Sequence, residues 1–157
     1  MENNNFYEAL VNNLEEVIKV YRGLLGVVRN EREILVSANL DDLNSNNAIK
    51  EKILLEARHL EKDRQRVMSE LVAAENIQDT QISLLDLAKH FSGIRGEKLR
   101  SLHAVLDLLI KRVRDLNLQN EGLIHSALKN ITGAMNSIKD MLDDNKTYEK
   151  KGKVNTH

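Results

Sequence analysis

Glu56-Ala57-Arg58-His59 sets a carboxylate and an imidazole three residues apart, on one face if the segment is helical. That Glu-x-x-His spacing ligates iron inside four-helix bundles, but such a centre takes two copies of the motif and two further inward glutamates. One copy is present, so a surface pair and no metal site is expected. His90-Phe91-Ser92-Gly93 offers a second chemistry, a phosphate-accepting histidine on a helical bundle. That role wants an exposed His within a helix, followed shortly by Lys and Gly. His90 instead falls at a predicted helix end, where a cation complements the helix dipole. His103 and His125 are solitary. The chain has no Gly-rich phosphate loop, no His-Glu-x-x-His pair and no Cys, and no Ser has an obvious base beside it. The expectation is a non-enzymatic protein without cofactor.

Composition says what must position any functional residues. The 157 residues include no Pro, Cys or Trp, only 3% aromatics and 30% charged residues, with Leu, Glu, Lys, Arg and Ala prominent. Without Pro there are few forced turns, and those residues are strong helix formers. An all-α chain with long helices follows. Net charge is -1 with both signs interspersed, which leaves no basic face for nucleic acid. The absence of Cys is compatible with a reducing cytosol. Met1-Glu2-Asn3-Asn4-Asn5 has no basic start followed by an apolar core, and no apolar run approaches the ~20 residues of a membrane span. A cytoplasmic protein is expected.

The first helix is predicted over 5–37, with an inner stripe of Tyr7, Leu10, Leu14, Val17, Tyr21, Leu24 and Val28, then Leu35 after a break at Glu31. Val11, Ile18 and Leu25 widen it to a bundle-type face, and Glu15 and Lys19 form an i,i+4 pair outside. Gly23 and Gly26 share a face that suits either a crossing helix or a kink. Asn39-Leu40-Asp41-Asp42 supplies a cap and first-turn acids for a second helix reaching about Ala74. Its stripe of Leu43, Ile53, Ala57, Leu60, Val67 and Leu71 is interrupted by Asn46, Lys50 and Arg64, which either fix register or lie at the wet edge of the bundle. A short helix over 80–91, capped by Asp79 or Thr80, buries Ile82, Leu85, Leu87 or Ala88, and Phe91. Ser92-Gly93-Ile94-Arg95-Gly96 is the corner before the last long helix, 97–142.

That last helix carries two apolar stripes. One runs Leu99, Leu102, Leu106, Leu109, Val113, Leu116, Asn120, Leu123, Ala127. The other runs Ile124, Leu128, Ile131, Met135, Ile138, Leu142 in the same rhythm, displaced by one residue or about 100°. At 1.5 Å per residue the first two helices are each about 50 Å long and the last about 70 Å. In an antiparallel bundle the last helix therefore overshoots by roughly 20 Å. The overshoot holds the second stripe, which reads as a surface kept for another polypeptide. The expected fold is an antiparallel bundle of three long helices plus one short helix, with a protruding C-terminal helix. It forms a single domain over 1–142, with 123–142 as the binding helix and 143–157 as a flexible polar tail.

Three segments in order then resemble a known family. Glu31-Arg32-Glu33-Ile34-Leu35, Asn39-Leu40-Asp41-Asp42-Leu43 and Lys50-Glu51-Lys52-Ile53-Leu54-Leu55 are similar to the N-terminal half of FlgN-type flagellar export chaperones. Leu116-Asn117-Leu118-Gln119-Asn120-Glu121-Gly122-Leu123-Ile124 resembles the segment that opens their C-terminal amphipathic region, with Gly122 as a departure. The resemblance implies a cytoplasmic chaperone of flagellar type III export, which holds hook–filament junction (hook-associated) proteins and hands them to the export apparatus. The client-binding residues expected from stripe and resemblance together are Asn120, Leu123, Ile124, Leu128, Ile131, Met135, Ile138 and Leu142. The protein would be a monomer or weak dimer. The alternative is a structural bundle that self-associates through the same stripe.

Overall fold

The structure is a computed structural model that describes the backbone of residues 2–154 and side chains over 5–145. Among the described residues there are four helices and no strand: α1 Glu2–Ser37, α2 Leu40–Ala74, α3 Leu84–His90 and α4 Ile94–Val154. No helix among them is long and apolar enough to cross a membrane. The chain divides into two compact units, 1–120 and 121–157.

The break between α1 and α2 is made locally. Ala38 adopts φ 57°, and its successor's amide reaches back to the Ile34 carbonyl at 3.3 Å. Asn39 then caps α2, accepting from the Asp42 amide, with Asp41 and Asp42 in the first turn where the helix dipole favours them. At the other end of α2, Asn76 takes the left-handed conformation and the Ile77 amide closes on the Val72 carbonyl at 3.0 Å.

α3 is shorter than the sequence predicts. Ser83, not Asp79 or Thr80, is its N-cap, with the hydroxyl accepting from the Asp86 amide at 3.1 Å. The shorter helix buries Leu84, Leu87, Ala88 and Phe91 and leaves Leu85 exposed. α4 begins earlier than expected, at Ile94, directly after Gly93 with φ 70°. Its backbone also stays helical to Val154, past Leu142, where the polar sequence reads as a tail. Residues 155–157 of that tail lie outside the described residues.

In unit 1 the inner faces meet as one core. Leu10, Leu14 and Val28 of α1, Leu71 of α2, Leu87 of α3 and Leu99 of α4 are fully buried together. Leu106 and Leu116 pack against that core half-buried. Polar contacts tie the helices across it: Asn13 Nδ2 donates to the Leu60 carbonyl at 3.0 Å, and the Tyr7 hydroxyl donates to the Arg95 carbonyl at 2.9 Å. Burial, with the Glu8 charge, pushes the Tyr7 phenol pKa up against the opposing Arg95 guanidinium, which stacks 5.1 Å from the ring. Glu15 pairs with Lys98 across the helices at 3.3 Å rather than serving the local pair read with Lys19. Gly23 approaches Ile53 of α2, while Gly26 has open space, so only the first of the pair meets another helix.

Two backbone positions give opposed predictions. A Cβ at Gly96 would overlap the Phe91 carbonyl oxygen and stand 2.6 Å from that of Ala88, both backbone atoms that cannot yield cheaply. Gly96→Ala should therefore cost about 2 kcal/mol or more. Ala38→Gly should stabilise by about 0.5–1 kcal/mol, since a left-handed L-residue is strained while the extra chain entropy of Gly offsets part of the gain. Thermal or urea unfolding of both variants checks this; equal midpoints would refute it.

Candidate functional site

Among the described residues no catalytic constellation assembles. Glu56 and His59 are both exposed, and no group of three or more His, Asp or Glu among the described residues is placed to hold a metal. His90 lies in the last turn of α3, its Nε2 3.3 Å from a Glu75 carboxylate oxygen and its ring edge-on to Phe91 at 5.4 Å. It thus stands at a helix end, as expected, and also touches the end of α2 and Phe91 of the core.

Two other arrangements stand out, one in each unit. In unit 1 a layer of polar side chains lies where α1, α2 and α4 meet. Glu31, read from sequence as a break in the stripe, is 4% exposed and faces inward. Its carboxylate accepts from Lys50 Nζ at 3.1 and 3.4 Å and from Asn120 Nδ2 at 2.9 Å. Asn120, 1% exposed, also donates to the Val28 carbonyl at 3.0 Å, and Lys50 donates further to Asn117 Oδ1 at 3.3 Å. Beside them Asn46 donates to the Val27 carbonyl at 3.1 Å and accepts from Asn30 at 2.9 Å.

This bears on the two alternatives left open for the polar residues of α2. Asn46 is not at a wet edge but buried and paired, and Lys50 reaches inward to a carboxylate. Arg64 alone behaves as an edge residue. It folds along its own helix onto Glu61 at 2.6 Å and onto Met68 sulfur, and its hydrogen bond holds the Glu61 carboxyl below the usual range. Asn120 Oδ1 finds no partner in this layer, an unsatisfied acceptor that costs on the order of 1–3 kcal/mol. Asn120, a member of the expected binding set, is thus buried and hydrogen-bonded inside unit 1.

In unit 2 the remaining members of that set are arranged very differently. Leu123 is half-buried. Ile124, Leu128, Ile131, Met135, Ile138 and Leu142 are 38%, 58%, 56%, 65%, 58% and 56% exposed, with Met141 beside them at 66%. One continuous helix thus carries a buried stripe from Leu99 to Asn120 and an apolar face open to water from Ile124 to Leu142. Singly exposed apolar residues are ordinary; here six share one helical register, with Met141 at its edge. The chemistry it offers is burial of a matching apolar segment.

The polar layer yields a prediction. Lys50→Met leaves the Glu31 carboxylate buried with one donor fewer, and should destabilise unit 1 by about 2–3 kcal/mol, less than a fully buried pair because Lys50 retains some solvent contact. Glu31→Leu with Lys50→Met together should fall within about 1 kcal/mol of the original. A double-mutant cycle in urea measures both; equal losses for the single and double variants would refute it.

No curated protein and no solved structure matches the chain. The family model described as FlgN protein matches residues 1–156, which takes in both the polar layer and the exposed face. With that match over nearly its whole length, the chain belongs to the FlgN family of flagellar export chaperones.

Proposed function

We propose that this protein is a cytoplasmic chaperone that binds the C-terminal segments of hook–filament junction proteins and delivers them to the flagellar type III export apparatus. The observation that carries the reading is the exposed face of Ile124, Leu128, Ile131, Met135, Ile138 and Leu142 on α4. A client segment disordered alone would fold on that face as an amphipathic helix, burying apolar surface on both partners at about 25 cal/mol per Å². The ordering cost of the client segment keeps affinity moderate, which suits a carrier that must release its cargo. Met135 and Met141, unbranched and easily repacked, let one face accept more than one client.

The scaffold for this face is, in our reading, an antiparallel bundle of three long helices. The contacts that support it are Asn13 with Leu60 and Val27 with Asn46, which set α1 and α2 antiparallel, and Tyr7 with Arg95 and Val28 with Asn120, which set α4 parallel to α1 as an up-down-up connection requires. The bundle contributes no chemistry of its own and acts as the folded body on which the binding helix is carried.

Two measurements test this. Ile131→Asp combined with Ile138→Asp should lower affinity for a junction-protein C-terminal peptide at least about a hundredfold, since each buried charge costs several kcal/mol, while thermal unfolding is nearly unchanged. Leu109→Asp, at a residue 7% exposed in the core, should abolish the transition. Loss of folding in the double variant would make the face part of the core instead. In hydrogen exchange, amides over 131–142 should slow when the peptide is added; unchanged exchange at saturating peptide counts against capture on this face.

A further inference from the structure

The open face of α4 has a register that complements itself. In heptad terms Leu128, Met135 and Leu142 take a positions and Ile124, Ile131 and Ile138 take d positions. The g edge is Ala127, Ala134 and Met141, and the e edge is His125, Thr132 and Lys139. No a, d or g position carries a charge, and every one of these side chains is exposed. The seam therefore holds no charged side chain that demands a foreign partner of opposite sign.

We propose that a second copy of this chain covers the face in the absence of client, with the two α4 segments antiparallel about Gly133. In that register Ile124 packs against Leu142 of the other copy, Leu128 against Ile138, and Ile131 against Met135, so each a residue meets a d residue. The g edges also fit: Ala127 lies beside Met141, large against small, and Ala134 lies beside its own counterpart.

Charge decides between the two orientations. Paired parallel, Asp140, Asp143 and Asp144 of each copy would stand against the same three acids of the other, and the helix dipoles would align. Paired antiparallel, the dipoles oppose and the acidic clusters move to opposite ends. Asp140 then comes level with His125, which also neighbours Lys139, and Asp144 meets a single acid, Glu121. The self-pair is a cover that a client must displace, which rests on the client-binding reading above. Its strength is set by protein concentration through mass action.

The absence of Cys from the chain allows a clean test on the full-length protein. Leu128→Cys and Ile138→Cys variants carrying different tags are mixed and treated with a short bifunctional thiol reagent. Antiparallel pairing links one tag to the other and leaves Leu128→Cys alone unlinked, because its two thiols lie ten residues or roughly 15 Å apart along the pair. The mixed product should rise with concentration, and adding Ile131→Asp should lower it at least about tenfold with the thermal transition retained. Self-linking of Leu128→Cys in place of the mixed product would mean a parallel pair and overturn the proposal. So would monomers by sedimentation, with no link, at the highest soluble concentration. Excess junction-protein peptide should suppress the link. Peptide that binds where no link ever forms sinks the self-pair and leaves the client reading standing. A link that peptide never suppresses keeps the self-pair and removes the client from this face.

Discussion

A carboxylate with 6% of its side chain exposed has to be met by donors, and Glu31 obtains them from two other helices. Lys50 comes from α2 and Asn120 from α4, 19 and 89 residues away in sequence. Asn120 holds the Val28 carbonyl as well, and Asn46 holds that of Val27, so side-chain amides bind the carbonyls of two consecutive α1 residues. From Tyr7 to Val28 the inner face of α1 is apolar apart from Asn13; at Glu31 the layer turns polar, with Ile34 after it. Of unit 1, Asn120 is the last residue, and it is fully buried. The same contact that satisfies a buried charge also defines where the α4 stripe stops being core.

Beyond that point the side chains are of the same kinds and follow the same rhythm, but their environment is different. Leu99, Leu102, Leu109 and Val113 are at most 7% exposed, while Leu128, Ile131 and Ile138 are more than half exposed. Apolar area left in water contributes nothing to stability until something covers it. The exposed face therefore adds little to the folding free energy of the chain by itself. On the proposed function, a folded body whose stability does not draw on that face releases its client without unfolding.

Family resemblance and structure intersect at Asn117 and Asn120. The segment that opens the amphipathic region supplies two of the amides of the polar layer, so part of it belongs to the folded body of unit 1. Gly122, two residues later, has open space around it, consistent with a position outside the packed core.

The helices, the Asn39 cap and the buried faces of α1 were legible because short-range chemistry sets them: helix formers without Pro, a cap side chain at one position, and apolar residues at helical spacing. The displaced second stripe was legible for the same reason, as a periodicity. What sequence left undecided is what each face meets. Glu31 and Asn46 read as a break and a wet edge because a polar side chain on an inner stripe looks the same whether water or a distant amide satisfies it. The N-cap of α3 was misplaced because Asp79, Thr80 and Ser83 are all competent caps, and the burial of Leu84 and Leu87 selects among them. Local patterns fix which residues share a face, since that is a property of one helix. Pairing and burial depend on residues tens of positions apart, and only the tertiary structure brings those together.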